Sequence, residues 1–362
     1  MGTLDSLVGE VRRATLNGEA VETALANVVR NANERNLGEP LARELDETEL
    51  RSLVIGFGRI QALLDDANIE EIWINGPNEV FIARGGIHES LPIALSDDEV
   101  RTLVERMLLN SGRRIDLSQP FVDSSLPDGS RLHVVIPPIT REFWSVNIRK
   151  FPKTVRTIDE LAENGAIEPA VESRLREAIN AGQTVLVSGA TQAGKTTLLC
   201  ALLDAMPERE RIVTIEETFE IASRPRDLVG MQCRGASLEG TGTVTLRHLV
   251  REALRMRPTR IVVGEVRGDE ALDLLVALNS GIPGLCTIHA NSAGDAIRKL
   301  VTLCQLSGTV AEEFVSRTLL STVDLVVHCR MSQNGSRKVV QLARPVGVSA
   351  DGVIEMETIW SS

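Results

Sequence analysis

Through residue 64 the apolar positions recur at helical spacing. Leu4, Leu7, Val8 and Val11 form one stripe, and Val21, Leu25, Val28 and Val29 form a second. A third runs from Asp46 through Leu50, Leu53, Val54, Phe57, Ile60 and Leu64. These stripes predict packing faces. The period then falls to two. Ile69–Asn75 alternates, Gly76-Pro77-Asn78 turns the chain, Val80–Ala83 returns, and Gly85-Gly86 turns it again. Ser96–Leu109 predicts a helix, with Ser96 as N-cap ahead of Asp97, Asp98 and Glu99. Residues 121–150 read as strands, chiefly Arg131–Ile136 and Ser145–Arg149, broken by Pro137-Pro138.

Phe151–Thr157 contains Pro152 and has no period, which predicts a linker. Pro169 then opens a helix that Gly182 closes. Strands are expected at Thr184–Ser188, Arg211–Glu216, Arg260–Gly264 and Leu285–His289, with helices between them. That alternation predicts an α/β unit with a largely parallel sheet. Asp324–Arg330, Lys338–Pro345 and Val353–Trp360 are joined by Asn334-Gly335 and Asp351-Gly352, an antiparallel hairpin signature. The expected organisation is a helical extension over 1–45, an α+β domain over 46–150, a linker over 151–158 and an α/β domain over 159–362.

The chain has 362 residues and is 43% hydrophobic, enough for two or three cores. Its formal net charge is -11 and only 3% of residues are aromatic, with no Tyr. Both argue against general nucleic-acid binding, which needs basic residues and stacking platforms. The five cysteines, Cys200, Cys233, Cys286, Cys304 and Cys329, are widely spaced and contain no CxxC. Reduced, mostly buried thiols are expected rather than disulfides or a zinc site. No apolar run approaches the roughly 18 residues of a membrane span, and the acidic start carries no signal-peptide core. A cytoplasmic chain is expected, meeting a membrane only through partners.

The chemistry concentrates at strand ends. Gly189-Ala190-Thr191-Gln192-Ala193-Gly194-Lys195-Thr196 matches the phosphate-loop pattern between a strand and a helix. Gly189 and Gly194 let backbone N–H groups turn around phosphate oxygens, and the helix N-terminus adds its positive end. Lys195 is expected to reach the β- and γ-phosphates of ATP, and the Thr196 hydroxyl to bind Mg²⁺. With Thr197 next on the helix, residues 189–197 are the candidate nucleotide contacts. Arg260–Glu265 is an apolar strand ending in an acid, suited to hold Mg²⁺ through water or to polarise the attacking water. Arg211–Thr218 repeats the design with two adjacent acids, Glu216 and Glu217. Either a cation lies near them or they form a solvated strand end. His289 ends a further strand and either senses the γ-phosphate or is structural. Arg247, Arg251 and Arg255 recur at i, i+4 and i+8. They form either a solvated face or one that meets phosphate or an acidic neighbouring subunit. His248 and His328 read as structural.

The order of the phosphate loop, Ile215-Glu216-Glu217, Val262-Val263-Gly264-Glu265-Val266-Arg267-Gly268 and Thr287-Ile288-His289-Ala290-Asn291 resembles the type II/IV secretion ATPases. Leu126–Arg131, Val135–Pro138, Leu254–Pro258 and Val266–Ala271 make it most similar to the Tad/Flp pilus assembly ATPases. The resemblance covers about residues 46–310. It implies a hexameric ring whose subunits pair a PAS-like N-terminal domain with a RecA-like motor, ATP lying between them. Glu265 becomes the Walker B acid, His289 a member of the His box, and Glu216-Glu217 the Asp box. Glu217 stands where the family usually has Asp, one methylene shorter. Arg131 and Arg149 match positions that reach the phosphates from the N-terminal domain. Inner-membrane platform proteins are the implied partners. The missing four-cysteine zinc module favours the Tad-like or type IV secretion side. The rivals are a type IV secretion motor, a nucleic-acid motor on the same RecA-like core, and a non-catalytic nucleotide-binding regulator.

Overall fold

The computed structural model describes residues 2–17, 19–36, 47–54, 56–109, 111–151, 157–223, 225–235, 241–306, 308, 310–350 and 352–362. The chain divides into two compact units, one mostly within residues 1–150 and one mostly within 151–362. Most of the linker predicted over 151–158 lies outside the described residues, but Ile158 already belongs to a helix that Thr157 caps.

In the first unit, α1 (Gly2–Leu16), α2 (Val21–Asn36) and α3 (Glu47–Val54) share a small core of Leu7, Val11, Leu25, Val28 and Leu50. The third helical stripe is interrupted. α3 stops at Val54 and α4 (Gln61–Asp65) resumes after a 3₁₀ turn. Gly58 at φ +60° accounts for the break, since the left-handed region lies outside a helix.

Strands β1 (Ile69–Gly76), β2 (Glu79–Arg84), β3 (Ile87–Leu91), β4 (Phe121–Ser125), β5 (Arg131–Val135) and β6 (Ser145–Arg149) form a sheet in the order β3-β2-β1-β6-β5-β4. α5 (Asp97–Leu108) packs Val100, Leu103, Val104 and Met107 against Ile72, Ile82, Leu132 and Ile148. Ser96 caps α5, and Glu99 completes the capping box. This is the PAS-like α+β unit.

The second unit carries α6 (Ile158–Glu163), α7 (Pro169–Asn180), β7 (Val185–Gly189), α8 (Lys195–Asp204), β8 (Arg211–Glu216), β9 (Asp227–Gln232) and α9 (Leu246–Ala253). It continues through β10 (Arg260–Val266), α10 (Glu270–Leu278), β11 (Gly284–His289), α11 (Ala293–Gln305), α12 (Glu312–Thr322), β12 (Leu325–Met331), β13 (Arg337–Val348) and β14 (Ile354–Ser361). The sheet order is β14-β13-β12-β7-β11-β10-β8-β9. Pairing is parallel from β12 through β9 and antiparallel across β12-β13-β14, as the alternation and the two turn signatures predict. Successive residues of β7 serve opposite layers. Val185 and Val187 join α6, α7 and α8, while Leu186 joins α9 through α12. Burial on both faces makes these strands continuous apolar runs. The parallel register brings the carboxyl ends of β7, β11, β10 and β8 side by side.

Candidate active site

β7 runs straight into the phosphate loop. Gly189 sits at φ +155°, and a Cβ there would lie 2.5 Å from the Cys329 carbonyl oxygen, so no other residue fits. Gly194, at φ +90°, is the N-cap of α8 and offers no side-chain acceptor. The first-turn N–H groups of α8 are thereby left for an anion. Thr196 and Thr197 follow on that first turn. Lys195 is buried, and its Nζ donates to the Ala190 carbonyl at 2.8 Å.

From Lys195 a row of charged groups crosses the neighbouring strand ends. Its Nζ stands 3.2 Å from His289 Nδ1, at the end of β11. His289 Nε2 stands 2.9 Å from Glu265 Oε1 on β10. The other Glu265 oxygen accepts from Arg267 Nη2 at 3.0 Å. Arg267 Nη1 is 2.9 Å from Glu217 Oε2, just past β8. Burial and then the Lys195 charge push the His289 pKa below its ordinary value. A neutral imidazole follows, with Nδ1 accepting from the ammonium and the proton on Nε2. The bulge that delivers Glu265 is visible in the register: Val263 pairs with Cys286, but Val266 pairs with Ile288. One extra residue on β10 re-aims the side chain there.

Glu265 Oε1 is buried and makes no aligned hydrogen bond, although His289 Nε2 is close. A desolvated carboxylate oxygen and the Thr196 hydroxyl are hard oxygen donors of the kind Mg²⁺ takes, directly or through water. These residues therefore fit the ion that a phosphate loop implies.

The structure does not bring Glu216 into this row. Its side chain is buried, and one oxygen accepts from the backbone N–H groups of Glu220 and Ile221 at 2.7 and 2.8 Å. Burial pushes its pKa up, and the two amides oppose that shift. Gly264 makes room for it, since a Cβ there would lie 3.2 Å from Glu216 Cγ. Glu270 plays the same part after β10, accepting from the N–H groups of Arg267 and Gly268 at 2.7 and 2.9 Å. Sequence reasoning passed over Arg267 and Glu270 as site residues. The signal for Arg267 was a cation two positions beyond a strand-end acid. For Glu270 it was an acid at the start of a helix.

Arg131 and Arg149 lie opposite each other on β5 and β6. Arg131 bonds Asp123, and Arg149 stands 3.9 Å from Glu71. The arginines of α9 and of the turn just after it form ion pairs within the chain. Arg247 and Arg251 both bind the Asp273 carboxylate, at 2.6 and 2.7 Å, and Arg255 pairs with Glu252. Arg247 and Arg251 thus lie on a partly exposed, ion-paired face. His248 completes the capping box of α9, and buried His328 has its Nδ1 3.0 Å from Ser188 Oγ. The cysteines are free, with all but Cys233 buried. Burial pushes Cys286, Cys304 and Cys329 up to about 12, which keeps them as unreactive thiols. Among the described residues, no helix is long and apolar enough to cross a membrane.

Residues 55–354 match the family model described as type II/IV secretion system protein. A Mycobacterium tuberculosis protein named for conjugal transfer is 37% identical over 319 residues, covering 86% of this chain and 90% of the relative. The type IV secretion system protein PtlH of Bordetella pertussis is 33% identical, covering 78% and 93%. Among solved structures, the ATPase DotB of Yersinia pseudotuberculosis aligns with a TM-score of 0.58 at 17% identity, covering 85% of this chain and 81% of that one. The pilus retraction motor PilT, solved with ADP, aligns at 0.55 and 18% identity, covering 80% and 83%. Those two likenesses establish the fold, an N-terminal α+β unit followed by a RecA-like phosphate-loop unit.

Proposed function

The chain belongs to the type II/IV secretion system protein family, and on that premise we propose that it is a hexameric cytoplasmic ATPase driving assembly of a Tad/Flp-type pilus or a related secretion machine. The observation that carries hydrolysis is the row Lys195, His289, Glu265, Arg267, Glu217 across four strand ends. Lys195 neutralises charge on the β- and γ-phosphates, with the loop N–H groups cradling them. Thr196 and, through water, Glu265 would hold Mg²⁺, which would supply further neutralisation of charge on the transferred phosphoryl group. Glu265 polarises the attacking water. His289, held neutral between Lys195 and Glu265, registers the γ-phosphate. Arg267 keeps Glu217 beside Glu265, and the longer arm of Glu217 reaches that guanidinium. Glu216 and Glu270 hold the loops that present these groups. Arg131 and Arg149 are further candidate contacts of the nucleotide phosphates. Platform proteins in the inner membrane receive the force.

A type IV secretion motor is the second reading. It is favoured by the relatives named for conjugal transfer and type IV secretion. The two share the chemistry and differ in the machine. Purified chain should hydrolyse ATP only with Mg²⁺, and Lys195→Ala and Glu265→Gln should each lower kcat at least about 100-fold. Undiminished turnover in both variants would sink the assignment. Light scattering with bound nucleotide should give the mass of six chains, and pilus loss in a deletion strain would select the machine.

A further inference from the structure

The C-terminal hairpin of the motor unit bears on the phosphate loop at three points. β12 lies beside β7 with Cys329 opposite Gly189, and the Cys329 carbonyl fills the space of the missing Cβ. β13 returns from the Asn334-Gly335 turn with Arg337 opposite Met331. From there Arg337 reaches the crest of the loop, where its Nε–H donates to the Gln192 carbonyl at 2.8 Å. Its stem covers Gly194, where a Cβ would lie 3.5 Å from Arg337 Cβ and 3.6 Å from Cδ.

That crest carries the strain of the loop. Gln192 is a non-glycine residue at φ +61°, in the left-handed region that L-residues avoid. Its carbonyl belongs to the same rigid peptide plane as the Ala193 N–H. Pinning the carbonyl on Arg337 therefore fixes that N–H, which closes the turn onto the Ala190 carbonyl at 3.3 Å. The Ala190 carbonyl also receives Lys195 Nζ. One guanidinium, 145 residues away in sequence, thus sets the crest peptide, the turn beneath it and the acceptor of the phosphate-binding lysine.

We propose that Arg337 is a positioning residue for the nucleotide, bracing the phosphate loop so that the C-terminal hairpin sets affinity for the polyphosphate. The proposal rests on the nucleotide-binding function above. Arg337→Met keeps the stem over Gly194 and removes the Nε–H. Titration of the full chain with a fluorescent ADP analogue and Mg²⁺ should show Kd raised about ten-fold. KM for ATP should rise in step, while kcat at saturation stays within about two-fold. Arg337→Lys should not restore binding, because a point ammonium does not replace a planar N–H at that place. If Arg337→Met does not fold, Arg337→Lys carries the same comparison. Without nucleotide, amide exchange at residues 190–194 should accelerate in the variant while the rest of the motor unit keeps its protection. Wild-type affinity in the variants, or acceleration spread over the whole unit, would overturn the proposal. A wild-type chain that binds no nucleotide would instead overturn the proposed function, and exchange at 190–194 would still decide the brace.

Discussion

Glu216 and Glu217 are adjacent acids to which the structure gives opposite surroundings, and substituting each separates their work. Glu216→Ala removes the acceptor for the Glu220 and Ile221 amides. An orphaned buried donor costs about 1–3 kcal/mol. Both residues are half-buried, so water recovers part of that, and a total of about 2–3 kcal/mol is expected. At about 2–4 °C per kcal/mol for a unit of this size, Tm should fall by about 5–10 °C. Glu216→Gln keeps an oxygen for both amides and no longer buries a charge, so Tm should barely move and turnover should persist. The pH profile adds a sign. Burial raises the folded pKa of Glu216 above its ordinary 4.5, so the native state holds a proton that the unfolded chain has released. Stability therefore falls as pH climbs from 4.5 through the folded pKa and then levels off. Glu216→Gln should remove that slope. Calorimetry across pH, alongside ATP turnover, reads all three effects. Glu216→Gln losing turnover as deeply as Glu265→Gln, or Glu216→Ala melting with the wild type, would overturn the role of Glu216 as a loop clasp.

Two further outcomes follow from close contacts. Gly189→Ala places a Cβ 2.5 Å from the Cys329 carbonyl, and the backbone of β12 must yield. Overpacking of this kind costs about 1–3 kcal/mol; calorimetry should show the loss, and nucleotide titration a Kd raised by about ten-fold or more. Asp273→Asn removes the charge shared by Arg247 and Arg251 across α9 and α10. Because those arginines are partly exposed and solvent screens them, a small loss of stability is expected, with unchanged kcat; urea melts and turnover assays check the pair.

Much of the architecture was legible because its signals are local. The phosphate loop needs glycine at Gly189 and Gly194 for reasons of backbone angle that a motif preserves. The α5 cap was visible as Ser96 before three acids. β3 and β9 escaped. β3 is mostly exposed, and β9 is half-buried at a sheet edge, so neither shows the apolar run of an inner strand. The third helical stripe runs across a break because its apolar spacing survives Gly56 and Gly58, while the positive φ at Gly58 leaves no mark in that spacing.

The roles within the site were less legible, because they depend on which strands become neighbours. In sequence, Arg267 is two residues from Glu265 and fifty from Glu217. Only the β8-β10 pairing lets one guanidinium join both acids. The same pairing separates the adjacent glutamates. Gly264 on β10 opens the space that Glu216 fills, so Glu216 clasps the loop after β8 while Glu217 is left at the edge for Arg267. After β10 the division repeats with Glu265 at the edge and Glu270 clasping the chain that carries Arg267. The ends of β8 and β10 thus each use two carboxylates, one to fix its loop and one to pair with Arg267. That division explains why acids are doubled here, and why removing a clasp should cost stability while removing its companion should cost turnover.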